Sequence, residues 1–581
     1  MSSSARYRDA AGSPTLEALE IELGLDGSSE HAPALAGRGP LSHEDDGEPD
    51  PRATSSFRGG PSLLAANRGH GRRRWCCGWR VALKAVAAGG FVLLLVSLLS
   101  CLARKEPVQR SVAGVCSANT TRSGAVRNVI FMIPDGMGPA YLNLTRAALL
   151  AMGKPGVELA LDGIEYGRIR TRSRSDNITD SAAAATAYAT GERTDNLHLS
   201  IRDGEPIPTV LEGAEAAGMW TGLVTTARVT HATPAGFSAH VKDRDEENDI
   251  ALQQLEQGIE VLLGGGRRHF LPKSAQGSRR GDGRNMEQYA QGKGYNVVHD
   301  AEELEAAQLP VLGLFSDSHM AFEIDRLERR TGQPSLAAMA RRALALLSAA
   351  PNGFFLMIEG GRIDHAGHYN DPVAAFHEVL AYDAAVAEVL KFVAWDGATL
   401  LLSAADHETG GLFQGDDLEP DYAAMVAVTS SAEMLASDVS GAVEAAGADE
   451  ELQVAAVRQA FQRVGYNDSS LTALSTTAIA DRADEVDLEY LQGGLPLLLG
   501  QTISGMVSVN WTSAHHTPVD ITLAAAGLGD IDLPVRAPPP SGGTTELLRP
   551  LGLRSPHAGV LLCVACPWGV QDIRPALLDD I

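Results

Sequence analysis

Cysteine is scarce in this chain, which has 6 cysteines among 581 residues. A fold built on disulfides needs more of them, and no two cysteine pairs have the spacing of a zinc ribbon. Cys563 and Cys566 are close enough in sequence to bind a metal or form a bridge, but no second pair accompanies them. With 44% hydrophobic residues, the chain can instead bury a large core.

Basic residues are also few, since 48 Lys and Arg stand against 73 Asp and Glu and give a net charge of -25. Affinity for nucleic acid depends on clustered Lys and Arg, so this balance argues against a nucleic-acid partner. An acidic surface also repels phosphate. Any phosphate chemistry must therefore rely on local positive charge from metal ions or arginine.

Long uncharged apolar runs are rare, and the clearest one extends from Ala85 to Ala103. It is about as long as a helix that spans the hydrocarbon of a bilayer. Basic residues flank it and are denser on its N-terminal side, which predicts a transmembrane helix over 81–103 with that side in the cytosol. Residues 1–80 are rich in Ser, Gly, Pro and acidic residues, and we expect a disordered cytosolic tail there. Residues 104–127 would be a linker.

The distribution of N-x-S/T sequons supports the same topology. All of them follow the predicted span and none precedes it, which favours an extracellular or luminal position for the rest of the chain. The protein is thus expected to be a single-pass membrane protein and a glycoprotein. The sequon asparagines are Asn119, Asn143, Asn177, Asn467 and Asn510.

From residue 128 to about residue 530, short apolar runs alternate with alanine-rich segments of helical length. Runs this apolar predict buried parallel strands, so we expect an α/β fold with a large, mostly parallel central sheet and helices on both faces. Residues 410–500 contain acidic, alanine-rich stretches that predict an insertion or a cap, and 531–581 an irregular C-terminal tail. The five runs are 129–133, 222–226, 259–266, 354–359 and 399–407.

Residue types that bind metal or act as nucleophiles occur at five predicted strand ends. Ligands bind at the carboxyl ends of parallel strands, so the placement points to one site. Ser181 begins an alanine-rich helix, whose N-terminus favours an anion. Mixed carboxylate and imidazole ligands suit zinc, and hard oxygen ligands suit magnesium. The other residues in these positions are Asp135, Glu359, Asp364, His368, Asp406, His407 and His516.

Each of these residues has a simpler interpretation when it is taken alone. An Asp after a strand, or Ser181 itself, can cap a helix. Asp406 and His407 can form a surface turn. The triple glycine 264–266 lacks the GxGxxG spacing of a nucleotide-binding loop and predicts a tight turn. Their joint occurrence favours a site.

Taken together, the segments VIFMIPDGMG, TDSAAAATAYATG, FFLMIEGGRIDHAGH, LLLSAADHETGG and WTSAHHTPVD resemble the alkaline phosphatase family over about 400 residues. The resemblance implies that Ser181 is the serine that becomes phosphorylated and that Arg244 binds the substrate phosphate. His231 and His365 resemble the animal-type residues near the magnesium site, which leaves magnesium or a further zinc open there. The implied ligands of two zinc ions and one magnesium ion are Asp135, Ser181, His231, Thr233, Glu359, Asp364, His368, Asp406, His407 and His516.

The expected activity is hydrolysis of small phosphate monoesters through a phosphoserine. No base motif lies beside Ser181, so a metal ion must activate its hydroxyl. A phosphodiesterase of the same superfamily is the alternative, whereas a sulfatase would carry a C/S-x-P-x-R motif that is absent around Ser181. A catalytically silent surface protein is disfavoured because no expected ligand is missing. The resemblance also implies a homodimer.

Overall fold

Four predicted segments lie outside the part of the chain that the computed structural model describes. They are the tail 1–80, the span 81–103, all but the last two residues of the linker 104–127, and the C-terminal segment 531–581. Among the described residues, no helix is long and apolar enough to cross a membrane. The transmembrane helix therefore stays a prediction. The described residues are 126–413, 420–466, 473–483 and 494–527.

The five apolar runs form neighbouring parallel strands in the middle of a nine-stranded sheet. Two further strands extend one edge in parallel, and at the other edge one strand pairs antiparallel with both of its neighbours. The mostly parallel sheet predicted from the sequence is thus confirmed. In spatial order, the strands are β2 (Glu165–Ile169), β15 (Ile521–Ala526), β10 (Thr399–Ala404), β1 (Asn128–Ile133), β9 (Phe354–Glu359), β5 (Trp220–Arg228), β6 (Val261–Gly265), β8 (Val311–Leu314) and β7 (Asn296–Val298).

Both faces of this sheet are covered by apolar cores, because successive side chains of a strand point to opposite faces. Along β1, Val129 and Ile133 belong to one buried cluster, whereas Ile130 and Met132 belong to another. This burial on both faces explains why the strands read as continuous apolar runs rather than as alternating ones.

Helices supply the other side of each core. The described α-helices are α1 (Pro139–Ala151), α2 (Ser181–Thr190), α3 (Val210–Ala216), α4 (Ala232–Ser238), α5 (Glu247–Gln257), α6 (Met286–Gly292), α7 (Ala301–Ala306), α8 (Glu323–Arg329), α9 (Leu336–Leu347), α10 (Arg362–His368), α11 (Pro372–Asp396), α12 (Tyr422–Val426), α13 (Ala432–Ala446), α14 (Glu450–Arg463), α15 (Ala473–Ala480) and α16 (Gly494–Val507).

The region 410–500, for which the sequence predicts an insertion or a cap, is mostly helical where the structure describes it. Leu435 of α13 and Leu499 of α16 are fully buried and belong to the same apolar cluster as Ile130 of the central strand β1. These helices therefore help to cover one face of the sheet.

Two short antiparallel ladders lie beyond the end of β10. The strand β11 (Glu408–Thr409) pairs with β14 (His516–Thr517), and β12 (Leu412–Phe413) pairs with β13 (Asn510–Trp511). The first ladder brings His516, which is remote in sequence, next to the residues that follow β10. A further two-stranded ladder joins β3 (Ile201–Arg202) to β4 (Glu205–Pro206).

Candidate active site

The polar residues that follow the parallel strands meet at one edge of the sheet. Asp135 follows β1 in a turn that requires Gly136, whose φ is 77°. An added Cβ at Gly136 would lie 2.6 Å from the Cα of Asp364, so only glycine permits this approach. Glu359 is the last residue of β9, and Asp406 follows β10. These three carboxylates therefore lie at the carboxyl ends of neighbouring strands.

Ser181 lies in the first turn of α2, and it is buried. The helix is capped by Asp180, whose side chain accepts a hydrogen bond from the N–H of Ala183 at 2.9 Å. Ser181 is therefore not the cap, and its hydroxyl is available for other contacts. Its Oγ lies 3.2 Å from Nε2 of His407, at a helix N-terminus that favours negative charge.

Asp364, His368 and His516 form one group of candidate metal ligands, with one ligand atom from each within 4.8 Å of the others. Asp364 and His368 share a face of α10 because they are four residues apart. Nδ1 of His368 donates to the carbonyl of Ala514 at 2.7 Å, and Nδ1 of His516 donates to that of Thr179 at 3.0 Å. Each ring therefore presents its Nε2 lone pair, and the two Nε2 atoms are 3.2 Å apart. Two facing lone pairs fit a shared cation.

A second group joins Asp135, Asp406 and His407. Nε2 of His407 lies 3.2 Å from Oδ2 of Asp406 and 3.7 Å from Oδ1 of Asp135. Because Ser181 contacts the same nitrogen, the hydroxyl adjoins this group.

A third group joins Asp135, Glu359 and His231, so Asp135 is shared with the second group. Thr233 donates to Oδ2 of Asp135 at 3.1 Å, and Thr225 donates to Oε2 of Glu359 at 2.5 Å. All ten predicted ligands are thus brought together, either in one of the three groups or, for Ser181 and Thr233, in direct contact with one.

The electrostatics of the groups show how much negative charge is buried here. Burial raises the pKa of Asp135 well above its ordinary value, and neighbouring carboxylates led by Asp406 raise it further. Burial also raises the pKa of Glu359 to about 7 and that of Asp406 to about 7. Burial opposes the ionisation of Asp364 too, but His368 and other histidines outweigh it and hold its pKa well below the ordinary value. Bound cations would let the whole set ionise together.

The hydrogen bonding of these carboxylates also indicates that cations bind here. Oδ1 of Asp135, Oε1 of Glu359 and Oδ2 of Asp406 are buried, and none has a hydrogen-bond partner among the described residues. A buried oxygen without a hydrogen-bond partner destabilises the folded state unless it binds another group, such as a cation. The donor set fits zinc at the first two groups, which contain His368 and His516 in one case and His407 in the other, and magnesium at the oxygens of Asp135 and Glu359 in the third group.

A cluster of three histidines adjoins the third group. The ring centroids of His319 and His365 are 4.1 Å apart, and those of His319 and His231 are 5.3 Å apart. An arginine donates to one nitrogen of each ring, so a neutral ring carries its proton on the other nitrogen. In this arrangement, the rings do not offer three free lone pairs to one cation. The pairs are Arg244 with His231, Arg228 with His319 and Arg362 with His365.

Arg244, the predicted phosphate ligand, is anchored beside Ser181. Its Nη1 lies 3.2 Å from Oδ2 of Asp180, and its Nη2 lies 3.0 Å from Nε2 of His231. Burial lowers the pKa of Arg244, but Asp180 and other carboxylates more than offset this and hold the pKa above its ordinary value. A permanent positive charge therefore adjoins the serine.

Some residues of the site were not identified from the sequence. Asp180 and Thr225 hydrogen-bond residues predicted to function, and His319 belongs to the histidine cluster. Thr409 contacts both Asp364 and His407. Asp180 could have been found as the helix cap before Ser181, whereas a threonine two residues after His407 has no spacing signal of its own.

Comparison with known proteins extends the likeness across the whole described region. A family model for alkaline phosphatase matches residues 126–533. The alkaline phosphatase of Schizosaccharomyces pombe is 38% identical over 423 residues, which cover 69% of this chain and 76% of that protein. The repressible alkaline phosphatase of Saccharomyces cerevisiae is 36% identical over 440 residues, covering 69% and 75%. The crystal structure of Thermus thermophilus alkaline phosphatase superposes with a TM-score of 0.60 at 31% identity, covering 69% of this chain and 86% of that one.

The matched region contains every strand of the central sheet and every residue of the candidate site. The fold and site therefore define a metal-dependent hydrolase. The chain belongs to the alkaline phosphatase family, and it is an enzyme of the phosphatase class.

Proposed function

We propose that the protein hydrolyses phosphate monoesters to an alcohol and inorganic phosphate, with Ser181 as the nucleophile. The observation that carries this proposal is the position of the Ser181 hydroxyl, 3.2 Å from Nε2 of His407 at the N-terminus of α2. Arg244 is held to the neighbouring Asp180, so a fork of donors adjoins the nucleophile. Arginine suits this position because its planar fork can donate two parallel hydrogen bonds to a phosphate.

The cations we propose are two zinc ions and one magnesium ion. When bound, they would lower the pKa of the serine hydroxyl and of a water molecule and would neutralise charge on the phosphate. Arginines donate hydrogen bonds to the three clustered histidines, so the oxygens of Asp135 and Glu359 are better ligands for the third ion than these rings are. Oxygen ligands favour magnesium over a further zinc. One zinc would be held by Asp364, His368 and His516, the other by Asp406 and His407 with Asp135 and Ser181, and magnesium by Asp135, Thr233 and Glu359 with His231 nearby.

The chain's own residues then perform a two-step displacement. Arg244 binds the equatorial oxygens of the phosphoryl group and orients it toward Ser181. The ionised Oγ of Ser181 forms a bond to phosphorus as the ester bond breaks, and the leaving oxygen takes up a proton and departs as the alcohol. Water then attacks the phosphoserine, the bond between phosphorus and Oγ breaks, and inorganic phosphate is released.

The proposed substrate class can be tested with a pair of aryl esters. We expect rapid phosphate release from an aryl phosphate monoester and at least about a hundred-fold lower kcat/KM for the bis-aryl diester. The reason is that the guanidinium fork of Arg244 suits the dianion of a monoester, whereas a diester has only one negative charge. Comparable or greater activity on the diester would replace the proposal with a phosphodiesterase. Elemental analysis of the same preparation should find zinc and magnesium, and dialysis against a chelator should remove both metal and activity.

We also propose the setting of the enzyme in the cell. Segment 81–103 would anchor the catalytic domain on the non-cytosolic side of a membrane, and two chains would form a homodimer, as the family resemblance implies. Protease protection in sealed membranes tests the topology, since the catalytic domain should resist a protease added on the cytosolic side. Sedimentation of the detergent-extracted protein tests the dimer.

A further inference from the structure

Thr409 occupies a buried position between two of the candidate ligand groups. Its Oγ1 lies 2.5 Å from Oδ1 of Asp364 and 3.2 Å from Nδ1 of His407. Asp364 belongs to the group with His368, whereas His407 belongs to the group with Asp135. A single hydroxyl therefore bridges ligands of both groups. Within the described part of the chain, it forms no hydrogen bond with Ser181 or Arg244.

The directions of the two hydrogen bonds follow from the chemistry of the partners. A carboxylate that binds a metal ion is ionised, so it can only accept, and the hydroxyl proton of Thr409 must point to Asp364. A hydroxyl has one proton, so its oxygen is left to accept from Nδ1–H of His407. This fixes the tautomer of His407, with the proton on Nδ1 and the lone pair on Nε2. Nε2 is the atom that faces Ser181, Asp406 and Asp135.

The backbone of Thr409 is tied to the same centre. Its N–H donates to the carbonyl of Gly136 at 3.1 Å, and its carbonyl accepts the hydroxyl of Tyr141 at 2.6 Å. It also pairs with His516 in the ladder of β11 and β14. An added Cβ at Gly136 would lie 2.9 Å from Oγ1 of Thr409, so the packing leaves the hydroxyl little freedom to move.

We propose that Thr409 is a positioning residue whose hydroxyl relay, from Nδ1–H of His407 through Oγ1 to Asp364, orients one ligand in each of two cation sites and thereby couples their occupancy. The inference rests on the proposed function, because it requires Asp364 and His407 to bind cations. Residues that orient metal ligands in this way usually contribute about 10- to 100-fold to metal affinity.

Thr409→Val tests the relay because valine keeps the shape of threonine and removes the hydroxyl. Full-length wild type and variant would be equilibrated with a series of metal-buffering chelators, and retained zinc would be measured by elemental analysis. We expect the free zinc concentration for half-retention to rise about 10- to 100-fold in Thr409→Val, with both zinc ions lost over one range. Thr409→Ser should restore retention to within about three-fold of wild type, because it restores the hydroxyl.

Thr145→Val is the matched control, since Thr145 is equally buried and its hydroxyl donates to the carbonyl of Tyr141 within α1. It should retain zinc as wild type does. Wild-type retention in Thr409→Val would overturn the relay, and so would equal losses in Thr409→Val and Thr145→Val. Failure of the proposed function would look different, because wild type itself would then bind no zinc or release no phosphate.

A measurement on the wild-type protein covers the case in which Thr409→Val does not fold. In a ¹⁵N-histidine spectrum, the signal that disappears in His407→Gln should show a protonated Nδ1 and an unprotonated Nε2. A protonated Nε2 on His407 would overturn the proposal without reference to any Thr409 variant.

Discussion

Ser181 Oγ lies 3.2 Å from Nε2 of His407, although 226 positions separate the two residues in the chain. Ser181 begins a helix, and His407 follows the central strand β10. The contact exists because the parallel strands end, and the helices that follow them begin, at the same edge of the sheet. The nucleophile thus meets its proposed metal ligands through the topology of the fold rather than through nearness in sequence.

Ser181→Ala should abolish the phosphoenzyme and lower the hydrolysis of an aryl monoester at least about a thousand-fold, because Ser181 has the only hydroxyl that contacts Nε2 of His407 among the described residues. The fold should be nearly unaffected, since Asp180 caps α2 and the change removes one atom. Acid-quenched incorporation of labelled phosphate measures the intermediate, and urea unfolding measures stability. Ser348→Ala, on an exposed serine that donates to the carbonyl of Ala345, is the control. Full activity of Ser181→Ala would contradict the assignment.

Arg244→Lys should weaken the binding of inorganic phosphate about 10- to 100-fold, or about 1.4 to 2.7 kcal/mol, because lysine lacks the planar fork of arginine. Competitive inhibition by inorganic phosphate gives the affinity directly. Arg174→Lys is the matched control, since Arg174 pairs with Asp195 and Asp203 at the surface, where ion pairs contribute little. If both variants bind phosphate as wild type does, Arg244 is not the phosphate ligand.

The sequence predicted the centre of the sheet better than its edges. The five central strands are buried on both faces, so each reads as an uninterrupted apolar run. The edge strand β2 has the sequence EYGRI and contains no buried residue, and β15 has the sequence ITLAAA, whose alanines are equally typical of helices. Neither has a pattern that distinguishes it from its surroundings.

The residues of the site, too, could be predicted only where the sequence carries a recognisable pattern. Aspartate and histidine after a strand are conspicuous, because few residue types bind metal. Thr225 and Thr409 are not conspicuous, since threonine is common in strands and its role here depends on contacts made only in the folded chain. His319 reaches His231 and His365 through the fold, and nothing near it in sequence indicates a site.

Leu197 ties Asp180 to Arg244 through its backbone. Its N–H donates to Oδ2 of Asp180 at 3.0 Å, and its carbonyl accepts from the N–H of Arg244 at 2.9 Å. Its φ of 74° is in the left-handed region, which is unfavourable for leucine, more so for valine, and tolerated by asparagine.

Leu197→Val should therefore lower the free energy of unfolding by about 1 kcal/mol and weaken phosphate inhibition, because the backbone that anchors Arg244 must shift. Leu197→Asn should keep the phosphate affinity of wild type and be at least as stable. Urea unfolding and phosphate inhibition measure the two effects. Equal behaviour of the two variants would show that the left-handed backbone does not position Arg244.

Glu378 of α11 is a buried carboxyl group that makes stability depend on pH. Burial raises its pKa from 4.5 to about 8, and its side chain accepts the N–H of Glu323 at 2.6 Å. Between those two pKa values the folded state binds more protons than the unfolded state. The contribution of Glu378 to the free energy of unfolding should therefore be greatest below about pH 4.5. This contribution should be lost as the pH rises through about 8.

Glu378→Gln removes the titration and keeps a side-chain carbonyl that can accept from Glu323. From about pH 5 to pH 9, wild type should lose on the order of 4 kcal/mol more stability than Glu378→Gln, as measured by urea unfolding at a series of pH values. The variant should still show some dependence, because burial also raises the pKa of Asp325 to about 7 and that of Asp371 to about 6. Parallel pH profiles for wild type and variant would mean that Glu378 is already ionised in the folded protein near neutral pH.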